Sequence, residues 1–199
     1  MEYKKYKEYI QCEFQYITKD NILFWNLWNI SYPFDVLATY KEAYPEEYTL
    51  FSEMYFSCWE MLYQVDEKRE VLASVFEQTY PFVIDEQGEI INPKNILQQK
   101  YESYDDDILP ELCILLLIGR FDEIYKGIKQ KAERYGERAI NAPMEVISYI
   151  IASYKWGYLF DNMDKSIVRD EVNAQMKLVK TLQTPRLFSL EDRNIFRNK

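Results

Sequence analysis

Apolar side chains recur every three or four positions along nearly the whole of this chain, and that period admits little besides α-helix. Tyr3, Tyr6, Ile10, Phe14 and Ile17 form one such stripe, and Phe51, Met54, Tyr55, Cys58 and Leu62 form another. Residues of a helix advance about 100° each, so this spacing stacks side chains on one face, whereas a half-buried strand needs strict alternation. Further stripes run through Val71, Leu72, Val75 and Phe76, through Phe121, Ile124, Tyr125, Ile128, Ala132 and Tyr135, and through Val168, Val172, Met176 and Val179. The punctuation agrees. Asp20 is placed to cap "NILFWNLWNI", Pro33 to end or kink it, and "FDVLATYKEAY" to continue as a short helix. Pro45 suits the first turn of the next helix, where a missing N–H costs nothing. Gly136 suits a C-cap, Asn141 with Pro143 starts "MEVISYIIASYKWGYLF", Asp164 caps the helix after it, and Pro185 ends that one. Ser189, with Glu191 and Asp192 behind it, opens a short last helix.

One stretch breaks the pattern. In "YPFVIDEQGEIINPKN", β-branched residues flank the turn-like Asp85–Gly88, so a small β-hairpin is expected over 82–91. "YPF" occurs at 32–34 and again at 80–82, but the residues after the two copies do not correspond, and no repeat is inferred. With no linker or low-complexity segment dividing it, the expected fold is all-α: a single-domain bundle of about nine helices over residues 1–199, long enough to bury a sizeable core. By helical spacing Trp25, Trp28 and Trp59 belong to that core, with Trp156, beside Lys155, the most exposed tryptophan. The closing "LFSLEDRNIFRNK" is expected to be loosely held.

The chain contains no histidine. This removes the commonest general base, the commonest metal ligand and the usual partner of a catalytic serine or cysteine. It also rules out the Glu-x-x-His motifs of helical di-iron bundles. Cys12, Cys58 and Cys113 are too scattered for a zinc site, and the five glycines build no phosphate-cradling loop. Carboxylate chemistry is the catalytic option left, as in a carboxylate-dependent hydrolase. A magnesium-binding Asp-Asp-x-x-Asp helix fails on spacing, because Asp105–Asp107 is followed by Ile108, Leu109 and Pro110, and Glu111 comes one place too late. The chain is therefore expected not to be an enzyme, with no catalytic residue, metal site or cofactor.

Charge narrows the partners. Against 24 basic residues stand 33 acidic ones, for a formal charge of −9. Nucleic acid and anionic membrane surfaces are disfavoured, and a basic protein is attracted. Three widely spaced cysteines imply no disulfide framework and point to a reducing compartment. "MEYKKYKEYIQ" lacks the apolar core of a signal peptide, and the run Cys113–Ile118 is too short to span a bilayer. A cytoplasmic location is expected.

Two acidic, tyrosine-flanked stretches are the candidate partner-binding surface. In "YESYDDDILPELCILLLIG", Asp105 or Asp106 can cap the free N–H groups of the helix that Pro110 opens, and Leu112 and Leu115–Ile118 make that helix apolar all round, hence central. One aspartate suffices for the cap, which leaves Tyr101, Tyr104, Asp105, Asp106, Asp107 and Glu111 as an acidic knob suited to a basic cleft. In "KEAYPEEYTLFSE", Glu42, Glu46 and Glu47 form the second stretch. Its plain structural reading is a solvated face with acids at a helix N-terminus.

"DDDILPELCILLLIGRFDEIYKGI", residues 105–128, resembles a segment of the PoNi-type immunity proteins of bacterial polymorphic toxin systems, where a "PEL"-like start leads a leucine-rich helix into an amphipathic one. The resemblance implies a helical inhibitor that binds a cognate nuclease-type toxin and occludes its active site without catalytic residues of its own. Asp105, Asp106, Asp107 and Glu111 are the positions it would place at the interface. The alternative is a helical scaffold or phage anti-defence protein directed at another complex.

Overall fold

A computed structural model describes residues 2–62, 100, 103–105, 107–129, 137–154 and 163–197, and of 125–129 and 137–138 the backbone alone. The fold is all-α, every regular element among the described residues being a helix. There are six α-helices there: α1 (Tyr3–Phe14), α2 (Ile22–Thr39), α3 (Pro45–Met61), α4 (Leu109–Lys129), α5 (Ala142–Ser153) and α6 (Ser166–Thr181). Short 3-10 turns stand at Lys19–Asn21, Glu137–Asn141 and Leu190–Asn194. The hairpin expected over 82–91 lies outside the described residues, as do the Val71–Phe76 stripe, Gly136 and Trp156.

The expected count of about nine helices is corrected to six among the described residues, in part because the helix end expected at Pro33 is absent. α2 passes through Pro33 and absorbs the short helix foreseen after it. A proline inside a helix costs about 3 kcal/mol. Here the residues from Asn21 to Ser31 are all buried, and that burial outweighs the loss. Side chains also hold the carbonyls of this stretch: Asn26, Asn29 and Ser31 donate to Ile22, Trp25 and Leu27 at 3.3, 2.9 and 2.7 Å. α4 likewise runs straight through Gly119. A mid-helix glycine costs only about 1 kcal/mol, less than is gained by burying Ile114, Leu117, Ile118 and Phe121 around it.

The chain divides into two compact units, Met1–Tyr32 with Glu137–Lys199, and Pro33–Gly136. In the first, α1 and α5 pack on α6. Tyr6, Ile10, Phe14 and Ile17 are buried as their spacing requires, and so are Val168, Val172 and Val179, while Tyr3 and Met176 of the same two stripes are half-buried. The Trp25 indole donates to the Ala139 carbonyl at 2.8 Å, with the Phe14 ring edge-on to it. Asp20 does not cap α2. It sits exposed in a 3-10 turn, while the amide of Asn21 ties the head of α2 to the Leu182 and Thr184 carbonyls at 2.9 and 3.0 Å. Asn141 is the N-cap of α5, but Lys165, not Asp164, is the N-cap of α6. Neither side chain makes a capping hydrogen bond, so burial rather than capping sets where these helices begin. Ser189 opens the last turn as expected, its N–H donating to Asp192 Oδ2 at 2.8 Å.

In the second unit α3 packs on α4, the Phe51 and Phe121 rings lying parallel with centroids 5.8 Å apart. Phe34 stacks on Tyr55 at 4.1 Å, and the Cys113 thiol donates to the Pro33 carbonyl. α4 is not enclosed on every side as its composition suggested. Cys113, Ile114, Leu117, Ile118, Phe121 and Ile124 are buried, while Leu112, Leu115 and Leu116 keep partial exposure. No described helix is long and apolar enough to cross a membrane.

Candidate functional site

The second unit brings the two acidic stretches together. Pro45 occupies the first turn of α3, which places Glu46 and Glu47 at its N-terminus, where free N–H groups and the helix dipole favour carboxylates. Lys100, which nothing in the sequence singles out, donates to Glu46 Oε2 at 2.8 Å and to Glu47 Oε1 at 3.2 Å. The Tyr104 hydroxyl donates to the same Glu47 oxygen at 2.8 Å. A second clasp lies alongside: the Tyr44 hydroxyl donates to Glu111 Oε1 at 3.2 Å, and Glu111 Oε2 accepts the Asp105 N–H. The turn closes on itself, Asp105 Oδ1 accepting the Asp107 N–H at 2.9 Å and the Asp105 carbonyl accepting the Ile108 N–H at 3.1 Å.

This geometry sorts the candidates. Glu47, expected on a solvated face, is only 2% exposed, because Lys100 and Tyr104 cover it. Glu111 is half-buried and serves as a brace, so its carboxylate is not presented outward. Tyr104 is half-buried with its hydroxyl turned inward. Glu46 is exposed and paired with Lys100, a lysine it shares with Glu47. Glu42, Asp105 and Asp107 are exposed, and beside the last Ile108 is 44% exposed. Tyr101 and Asp106 lie outside the described residues. Asp105 does act as a local cap, but of its own turn, two residues on, rather than of α4.

The electrostatics follow from the same contacts. Burial, and then the Glu47 carboxylate at its hydroxyl, push the Tyr104 phenol far above the ordinary range. Burial and Glu111 act on Tyr44 in the same direction. The Lys100 ammonium is held above its usual value by its hydrogen bonds to Glu46 and Glu47. One lysine thus serves two carboxylates and leaves that cluster one charge negative, and Asp105, Asp107 and Glu42 add exposed carboxylates of their own. Among the described residues no three His, Cys, Asp or Glu side chains gather so as to hold a metal ion.

The fold and this surface define an all-α protein with a braced acidic turn. No family model, curated protein or solved structure matches the chain.

Proposed function

We propose that the protein works by contact rather than by chemistry, as an immunity-type inhibitor that docks its acidic turn on the basic active-site cleft of a cognate, nuclease-type toxin. The observation that carries this reading is the bracing of the turn 103–108. Glu111 holds its backbone from the α4 side, and Tyr104 ties it to α3, while Asp105, Asp107 and Ile108 face outward. A loop already set in one shape loses little entropy on binding, and its uncompensated charge speeds encounter with a positive surface. An exposed isoleucine among acids supplies an apolar anchor of the kind that interface centres use.

The test is retention of a basic protein from the source cells by the immobilised chain, followed by inhibition of that protein's activity with purified components. Replacing Asp105, Asp106 and Asp107 together by alanine should weaken binding at least tenfold and flatten its dependence on salt, with helicity unchanged. Full affinity in the folded triple variant, or retention of no basic protein, overturns the reading.

A further inference from the structure

After α6 the chain runs back over α2. Residues 183–197 carry the 3-10 turn Leu190–Asn194, and they begin with the Gln183 amide donating to the Glu13 carbonyl and carboxylate at 3.2 and 2.7 Å and the Thr184 carbonyl accepting from Asn21. Phe188 stacks on Phe24 with ring centroids 3.9 Å apart, the Trp28 indole donates to the Ile195 carbonyl at 3.0 Å, and Arg197 binds just beyond. Phe24 and Trp28 stand four apart on one face of α2, and both are fully buried. Ile195 is half-buried, while three other apolar side chains of the segment are exposed: Leu187 at 86%, Leu190 and Phe196. Phe196 sits at a φ of 69°, a left-handed backbone that a phenylalanine rarely adopts.

The seat of Arg197 is built almost wholly from the rest of the first unit. Glu171 on α6 offers both oxygens, Oε2 accepting from Nε at 2.9 Å and Oε1 from Nη2 at 2.8 Å. The Trp28 carbonyl accepts from Nη1 at 2.9 Å, the Trp28 ring lies 3.5 Å from the guanidinium carbon, and the Tyr32 ring lies at 5.5 Å. Glu171 is itself aimed by Gln175, whose amide donates to Glu171 Oε1 and to the Pro143 carbonyl, each at 3.0 Å, and whose oxygen accepts the Tyr6 hydroxyl. These groups come from α1, α2, α5 and α6, and the segment contributes the guanidinium. A carboxylate fork, a carbonyl acceptor and an aromatic face together match a guanidinium and not an ammonium.

We propose that Glu171, Trp28 and Tyr32 form an arginine-binding site that Arg197 fills in cis, and that an arginine presented by another polypeptide takes the site when segment 183–197 lifts. The residues of the site all belong to the first unit, and the proposal does not rest on the reading of the acidic turn.

In the full chain, Arg197→Ala vacates the seat. The probe is N-acetylargininamide, with the lysine and citrulline counterparts as controls. Calorimetry should show saturable binding of the arginine compound alone, and Tm should rise by about 2–4 °C at roughly ten times Kd. Adding Glu171→Gln should abolish both effects. In the native chain the tethered segment competes, so affinity should be at least tenfold weaker yet measurable. Arg197→Lys, which keeps a cation on the Trp28 ring, supports the same titration should the alanine variant not fold, with affinity between the two. The proposal is overturned by equal binding of the lysine compound, by no saturable binding to either folded variant, or by a native chain that takes no probe at one hundred times the variant's Kd.

Discussion

Glu171 and Arg197, twenty-six positions apart, meet as a forked ion pair in which the side chains are only 5% and 7% exposed. The pair pins the last described residues against α2, so "LFSLEDRNIFRNK", expected to be loosely held, is instead anchored as far as Arg197. Taking one partner from a buried pair strands the other charge away from water. Arg197→Ala should therefore cost about 3–5 kcal/mol in urea denaturation, whereas replacing both residues by apolar ones, Glu171→Leu with Arg197→Met, should cost less than the single change. A double variant weaker than the single one would refute this account.

The Tyr104 phenol predicts a loss of stability in alkali. Its folded-state pKa lies above the unfolded value, so between the two the unfolded chain binds fewer protons and unfolding becomes easier as pH rises past about 10. Tyr104→Phe should soften that decline. At neutral pH the same variant should cost about 1 kcal/mol for the lost hydrogen bond to Glu47. Thermal melts from pH 7 to 10.5 would check both.

Glu13 should contribute to acid lability. Its hydrogen bonds to Lys180 and Gln183 hold the carboxyl below the ordinary 4.5, so its contribution is complete above that value and fades as pH falls through the lower, folded-state pKa. Glu13→Gln should flatten the stability profile below pH 4.5. An unchanged acid limb would show that the pairing contributes nothing.

Gly119 should tolerate a side chain. It lies inside α4, and a Cβ built there meets no atom within 4 Å. Gly119→Ala should stabilise the chain by about 0.5–1 kcal/mol through helix propensity and reduced freedom of the unfolded state. A lower Tm would mean that the position is closed.

Thiol titration should separate the cysteines. Burial pushes Cys58 and Cys113 far above the ordinary thiol range, and Cys12 is exposed. One equivalent should react with an aromatic disulfide reagent in the native state at pH 8, and three after denaturation. Two fast-reacting thiols in the native chain would contradict the buried placement.

What the sequence determined by itself was the class of structure and the inward faces of the helices. A three-to-four spacing of apolar residues has one low-energy solution, and Tyr6, Ile10, Phe14, Phe51, Met54, Tyr55 and Cys58 are buried where that spacing puts them. Ser189 with Asp192 and Pro45 at the head of α3 were legible for the same reason, since local hydrogen-bond geometry decides them. Tertiary structure alone decided whether Pro33 and Gly119 interrupt a helix, because local propensity is worth a few kcal/mol and burial of the flanking residues is worth more. It alone decided which acids are spent inside the fold. Glu47 and Glu42 look alike in a string of letters, yet one is covered by Lys100 and Tyr104, more than fifty positions away, and the other faces water. Charge is a local property of the chain, but the partner that neutralises it is chosen only when distant segments pack.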